Sequence, residues 1–257
     1  MAKSKDALPR GPDGQVLYAI GDVHGRLDLL ADLIDLIHID MAASPDIQPT
    51  VILLGDYIDR GSNSPGVLES VLRYKAGAPY KVITLRGNHE QFLLTFLAQD
   101  GQVSGHAWLN HGGRNTLASY GVQPPADHLD IDGWTRTARA LAAAMPASHH
   151  AFLERTQLMA VLGDYVFVHA GVRPDVPLAE QHPDDLMNIR KPFLKAKRPY
   201  KDGAVVFGHT IFETPLVETW KIGIDTGAYA TGRLTALRLE GDQRRLITTE
   251  PGRGRPR

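Results

Sequence analysis

Apolar residues in the first hundred positions alternate between two rhythms. Val16–Ile20, Thr50–Leu54 and Lys81–Leu85 are short, nearly continuous apolar runs rich in β-branched residues, which predicts buried strands. Between them Leu27, Leu30, Leu33, Ile34, Ile37 and Met41 recur at helical spacing, as do Val67, Leu68, Val71 and Leu72; after the third run the same holds for Phe92, Leu93, Phe96 and Leu97. The Ser44–Pro49 stretch breaks the first helix. Strand–helix alternation of this kind predicts βαβ units, whose parallel strands all end on one edge of a sheet.

The rhythm changes at about residue 101. Helical stretches are predicted at 105–119, 134–144 and 146–156, the last opened by Pro146, a residue favoured at a helix start. Residues 101–156 thus read as a helical insertion. Leu158–Leu162 and Tyr165–His169 flank a Gly163-Asp164 pair, a two-residue hairpin signal. Ala204–Phe207, Leu216–Thr219, Lys221–Ile224 and Leu234–Leu239 are expected to complete a second, largely antiparallel sheet. The chain is expected to hold one α/β domain over 15–249, with a mobile leader at 1–14 and a basic tail at 250–257.

Composition narrows the chemistry. Among the 257 residues, 28 Lys and Arg balance 29 Asp and Glu, so no global charge points to nucleic acid or a membrane surface. No apolar run reaches membrane-spanning length, and a cytoplasmic protein is expected. There is no cysteine, which removes disulfides, thiolate metal sites and cysteine nucleophiles. Hydrolysis would therefore need a metal, a hydroxyl or a carboxylate.

The polar residues that could carry it collect at strand ends. The five blocks are Gly21-Asp22-Val23-His24-Gly25, Gly55-Asp56-Tyr57-Ile58-Asp59-Arg60-Gly61, Arg86-Gly87-Asn88-His89-Glu90, His169-Ala170-Gly171 and Gly208-His209-Thr210. The carboxyl edge of an open α/β sheet is where ligands bind. Oxygen ligands mixed with imidazole suit Mn, Fe or Zn better than Mg or Ca. Singly, each of these residues reads equally well as a solvated turn or a structural histidine; it is their recurrence at successive strand ends that favours a site.

In order and content these blocks resemble the phosphoprotein phosphatase family of the calcineurin-like metallophosphoesterases, and Asp225–Leu237, DTGAYATGRLTAL, is similar to its bacterial and phage members. The resemblance implies a four-layer α/β/β/α sandwich of two mixed sheets. It implies two divalent metal ions, Mn foremost, with Asp22 and His24 on one, Asn88, His169 and His209 on the other, and Asp56 between them. A hydroxide bridging the metals would attack phosphorus in line. His89 would be the general acid, oriented by Asp59, and Arg60 would hold phosphate oxygens. A second arginine is expected later, Arg190 being the better match and Arg173 its competitor; Glu90 would cap its helix or support the site. The implied activity is that of a serine/threonine protein phosphatase acting on a phosphorylated protein or peptide and releasing inorganic phosphate. A symmetrical diadenosine tetraphosphatase is the nearest alternative, which the joint presence of His24 and Asp59 disfavours; a non-catalytic phosphoprotein-binding scaffold is another, though no ligand or acid is missing.

Weaker features remain. His111 and Arg114, within Trp108–Arg114, could touch substrate, although helix packing explains Trp108 and Leu109 equally well. Lys195, Lys197, Arg198 and Lys201 form a basic loop that could attract an anion or simply be solvated. Asp130-Ile-Asp132-Gly133 imitates a phosphatase nucleophile motif without a buried strand before it, and His111-Gly-Gly imitates an esterase loop without its G-x-S-x-G partner. His38, His106, His128, His149, His150 and His182 carry no pattern.

Overall fold

The structure, a computed structural model, describes residues 8–101 and 105–250. Three apolar runs form parallel strands β1 (Gln15–Ile20), β2 (Gln48–Leu53) and β3 (Lys81–Thr84), joined by helices α1 (Leu27–Ala42) and α2 (Ser64–Gly77) and followed by α3 (Asn88–Ala98). The insertion contributes α4 (Gly105–Trp108), a π turn (Leu109–Gly113), α5 (Arg114–Ser119), α6 (Ile131–Ala144) and α7 (Ala147–Glu154). Then come the hairpin β4 (Met159–Leu162) and β5 (Tyr165–Val168), short helices α8 (Pro183–Asn188) and α9 (Lys191–Lys195), and strands β6 (Ala204–Phe207), β7 (Leu216–Val217) and β8 (Lys221–Gly223). Helix α10 (Ala228–Thr231) leads to β9 (Thr235–Glu240) and β10 (Gln243–Thr248).

The strands form two five-stranded mixed sheets, ordered β10-β9-β1-β2-β3 and β4-β5-β6-β8-β7. The alternation of side chains along each strand builds four layers. Val16, Tyr18 and Ile20 face outward onto Leu30, Leu33 and Ile37 of α1, whereas Leu17 and Ala19 face inward onto Tyr165, Phe167 and Val206 of the second sheet. On the far side Val166, Val168, Val205 and Phe207 pack against Leu186 and Phe193 of α8 and α9. This is the expected α/β/β/α arrangement.

The second sheet is not largely antiparallel. β5 pairs with β6 and β6 with β8 in parallel, and only the two edge pairings are antiparallel. The chain crosses from β5 through α8 and α9 before re-entering the sheet, and such a crossover returns the strand in its original direction. Consequently β5, β6 and β8 end on the same edge as β1, β2 and β3.

The leader is not loose over its described part. Arg10 and Asp164 exchange backbone and side-chain bonds, Gly11 N donates to Gly241 O at 2.8 Å, and Tyr165 Oη donates to Pro9 O at 3.0 Å. These residues tie the β4–β5 turn to the β9–β10 turn. The tail beyond residue 250 lies outside the described residues. No helix among them is long and apolar enough to cross a membrane.

Candidate metal centre

All five motif blocks converge where the two sheets' carboxyl ends meet. Asp22, His24, Asp56, Asp59, His89 and His169 are each at most 2% exposed, and Asn88 is 6% exposed. Holding so many side chains at one point distorts the backbone: His24, Asp56, Asp59, Arg60 and His209 all adopt positive φ, between 47° and 71°. For non-glycine residues this costs on the order of 1–3 kcal/mol each and clusters at functional sites. Gly208 has a steric reason, since a side chain there would collide with Asp22 Oδ1.

Asp56 is the centre. Its Oδ2 lies 3.5 Å from His24 Nε2 and 3.7 Å from His89 Nε2, while Oδ1 lies 3.4 Å from His169 Nε2. Two sets of ligand atoms, His24–Asp56–His89 and Asp56–His169–His209, each fall within 4.8 Å and share this carboxylate. Asn88 Oδ1 joins the second set, 3.1 Å from His169 Nε2 and 3.0 Å from His209 Nδ1. The far nitrogens are committed: His24 Nδ1 bonds Ile58 O at 2.9 Å and His169 Nδ1 bonds Leu54 O at 3.0 Å. In the neutral rings those bonds place the proton on Nδ1 and turn the Nε2 lone pair toward Asp56. With His169 neutral, its lone pair and those of Asn88 and Asp56 face one another and repel unless a metal ion or a proton on Nε2 lies between them.

The electrostatics agree that the residues fit metal ions. Burial pushes His24 down to about 3 and His209 down to about 2, so both stay neutral, as a metal-binding imidazole must. Burial also opposes the His169 imidazolium, but Asp56 and Asp22 outweigh it and raise the ring to about 10; the pocket attracts positive charge. Asp22 is held well above the usual carboxylate range by burial and then by Asp225. Its oxygens accept from His209 N at 2.9 and 3.2 Å, and it lies outside the tight His24 set, to which His89 contributes instead.

His89 is held from behind. Its Nδ1 meets Asp59 Oδ2 at 2.7 Å, and its Nε2 faces Asp56 and Arg60 Nη2, the latter at 3.2 Å. Burial disfavours the imidazolium, but Asp56 and Asp59 more than offset it and raise its pKa. Asp59 is itself fixed by the insertion: Trp108 Nε1 donates to Oδ2 at 2.8 Å and Thr116 Oγ1 to Oδ1 at 2.6 Å. Arg60 N donates to Gly112 O at 3.2 Å, and Asn115 Nδ2 donates to Arg60 O. Glu90 does both jobs expected of it, accepting from Gly87 N at the helix start and from Asp56 N and Tyr57 N at 2.8 Å.

Arg190 and Arg173 part company. Arg190 leans on Thr210 Oγ1 and His209 O, at the edge of the site. Arg173 is gripped by both oxygens of Asp185, at 2.7 and 2.6 Å. His111 stacks on Phe92 with ring centroids 4.8 Å apart, and Arg114 is exposed at the start of α5. In the basic loop Arg198 covers the Trp220 ring at 3.7 Å. Asp130 caps α6 through Gly133 N, which explains its false motif. His182 caps α8, His38 bonds Tyr80, and His149 bonds Tyr120.

Three residues near the chemistry have no signal of their own in the sequence. Trp108 reads as packing, Thr116 as an unremarked helix position, and Tyr229 as part of a turn. Tyr229 lies beneath the Arg60 guanidinium, 4.8 Å from centroid to Cζ, and edge-on to His24 at 5.4 Å.

A two-sheet sandwich with a carboxylate shared between two histidine clusters is the architecture of a metallophosphoesterase. The chain belongs to the calcineurin-like phosphoesterase family, which it matches over residues 16–213. It is similar to proteins of more than one named activity. It is 26% identical to an asymmetrical bis(5'-nucleosyl)-tetraphosphatase, PrpE, of Anoxybacillus flavithermus, over 85% of this chain and 88% of that protein. It is 28% identical to Shewanella-like protein phosphatase 2 of Arabidopsis thaliana and 34% identical to a symmetrical bis(5'-nucleosyl)-tetraphosphatase of Delftia acidovorans. Those two matches cover 61% and 62% of this chain but only 46% and 45% of the relatives. Among solved structures, a candidate diadenosine tetraphosphatase superposes with TM-score 0.63 at 18% identity, covering 93% of this chain and 96% of that one. A cold-active protein tyrosine phosphatase gives 0.53 at 17%, covering 91% and 78%. These likenesses show the shared fold.

Proposed function

We propose that this metallophosphoesterase is a phosphoprotein phosphatase acting on serine and threonine phosphomonoesters. The supporting observation is the 2.7 Å pairing of Asp59 with His89 Nδ1, which leaves Nε2 facing Asp56 and Arg60. In this reading Asp22 and His24 would hold one divalent ion, Asn88, His169 and His209 would hold the other, and Asp56 would serve both, with Mn expected and Fe or Zn compatible. Such ions would supply Lewis-acid charge for the phosphate and for an attacking water.

The chain's own residues do the rest. Arg60, with Arg190 beside His209 and Thr210, holds the non-bridging phosphate oxygens. Tyr229 supports the Arg60 guanidinium from below. Asp59 accepts Nδ1–H and favours the imidazolium, whose second proton, on Nε2, is the one delivered to the departing oxygen.

Leaving-group basicity favours this substrate class. A serine or threonine alkoxide departs poorly unless protonated, whereas the nucleotide released from a dinucleoside polyphosphate is a weak base that leaves unaided. An acid held by an aspartate, which is in turn held by Trp108 and Thr116, answers the harder of these problems. A dinucleoside polyphosphate hydrolase is the second reading, favoured by the PrpE relatives that align over most of their length. Steady-state kinetics on a phosphoserine peptide, a phosphotyrosine peptide and diadenosine tetraphosphate would decide. The proposal expects kcat/KM to be highest for phosphoserine; a dominant rate on the dinucleotide would replace it with the second reading.

A further inference from the structure

Strands β1 and β8 belong to different sheets, yet their ends touch at the centre. Gly21 follows β1, and a Cβ placed there would lie 2.8 Å from Ile224 O; its lack of a side chain lets the two strand ends close together. The next residue on each side is a carboxylate, Asp22 on one and Asp225 on the other, and each is 2% exposed.

Asp225 is rigidly placed. Its carbonyl accepts from Phe212 N at 2.9 Å, and its Oδ1 accepts from Gly227 N at 2.8 Å. The electrostatic neighbours of Asp225 are the residues of the centre: it acts on Asp22 and feels Asp56, His169 and Arg60. Gly227 N needs only one oxygen. A neutral asparagine would serve as that cap equally well, without a buried negative charge beside two others.

We propose that Asp225 is an outer carboxylate of the metal centre, adding a third negative charge beside Asp22 and Asp56 and thereby setting the affinity of the Asp22–His24 pocket for a divalent cation. The inference rests on the dinuclear reading above. It gives Asp225 no direct ligand role; residues outside the ligand set commonly tune a site in this way. The cost of gathering three carboxylates is carried by the metal-free fold and recovered when a cation binds.

Asp225→Asn tests the charge while keeping the volume and the Gly227 cap. Mn is titrated calorimetrically into chelator-stripped wild type and variant, bound metal is counted after dialysis, and Tm is recorded with and without Mn. One of the two Mn ions should bind about 10–100-fold more weakly to the variant. The metal-free Tm should rise, since a buried repulsion is gone, and the Mn-induced gain in Tm should shrink. Wild-type affinity for both ions in Asp225→Asn, with loss of stability only in Asp225→Ala, would reduce Asp225 to a backbone cap and overturn the inference. A wild-type protein that binds no Mn would overturn the dinuclear reading, and this inference with it.

Discussion

Trp108 and His89 share one oxygen: the indole Nε1 donates to Asp59 Oδ2 at 2.8 Å, and His89 Nδ1 meets the same atom at 2.7 Å. A side chain of the helical insertion thereby orients an aspartate 49 residues earlier in the chain. The insertion thus reaches the candidate site and fixes one of its carboxylates.

A general-acid role for His89, as proposed, predicts a dependence on the leaving group. His89→Ala should lower kcat on a phosphoserine peptide by roughly 10²–10⁴-fold and on p-nitrophenyl phosphate far less, because p-nitrophenolate needs little help to leave. Elemental analysis of the same variant should still find two metals. A missing metal would make His89 a ligand, as its place beside His24 and Asp56 also permits.

Thr116→Val removes the 2.6 Å hydrogen bond to Asp59 Oδ1 with little change in shape. Hydrogen bonds to charged groups contribute about 1.5–3 kcal/mol. If part of that is lost at the transition state, kcat should fall on the order of tenfold with KM little changed. A change confined to KM would argue against orientation of the acid as the role of Thr116.

Asp56 offers one oxygen to each histidine cluster. Asp56→Asn should therefore deplete both metals rather than one, as read by elemental analysis after dialysis. In the wild type, chelation should abolish activity and Mn should restore it; full turnover in excess chelator would sink the metal mechanism.

His149 offers a pH test away from the centre. It is 3% exposed, bonds Tyr120 Oη at 2.8 Å, and among the described residues its Nε2 has no hydrogen-bond partner, Glu69 Oε2 standing 3.6 Å away. Burial lowers its pKa, with Glu69 opposing. Below about pH 6.5 the unfolded chain takes up a proton at this ring that the folded protein resists. Its contribution to stability is therefore complete above that pH and is lost as pH falls toward the lowered folded value. Urea midpoints at pH 7.5 and 5.5 should differ less in His149→Gln than in the wild type.

Much of this was legible in the linear chain. Continuous apolar runs located β1, β2 and β3, because a strand covered on both faces is apolar throughout, and the 3.6 spacing located their helices, which bury one face. The Gly163-Asp164 turn marked one hairpin, and the same pair at Gly241-Asp242 opens β10, which went unforeseen because its exposed edge carries Arg244, Arg245 and Thr248. Local spacing could not set strand direction in the second sheet, since that depends on which edge each returning strand joins. The five strand-end blocks likewise pointed to the candidate centre through their recurrence, because each lies on a sharp turn at a sheet edge. Tertiary structure alone decided what stands behind them. Trp108 and Thr116 reach Asp59, Arg190 rather than Arg173 remains near His209, and Asp225 comes to lie beside Asp22. These contacts join positions tens to hundreds of residues apart, and their geometry exists only once the two sheets have closed on each other.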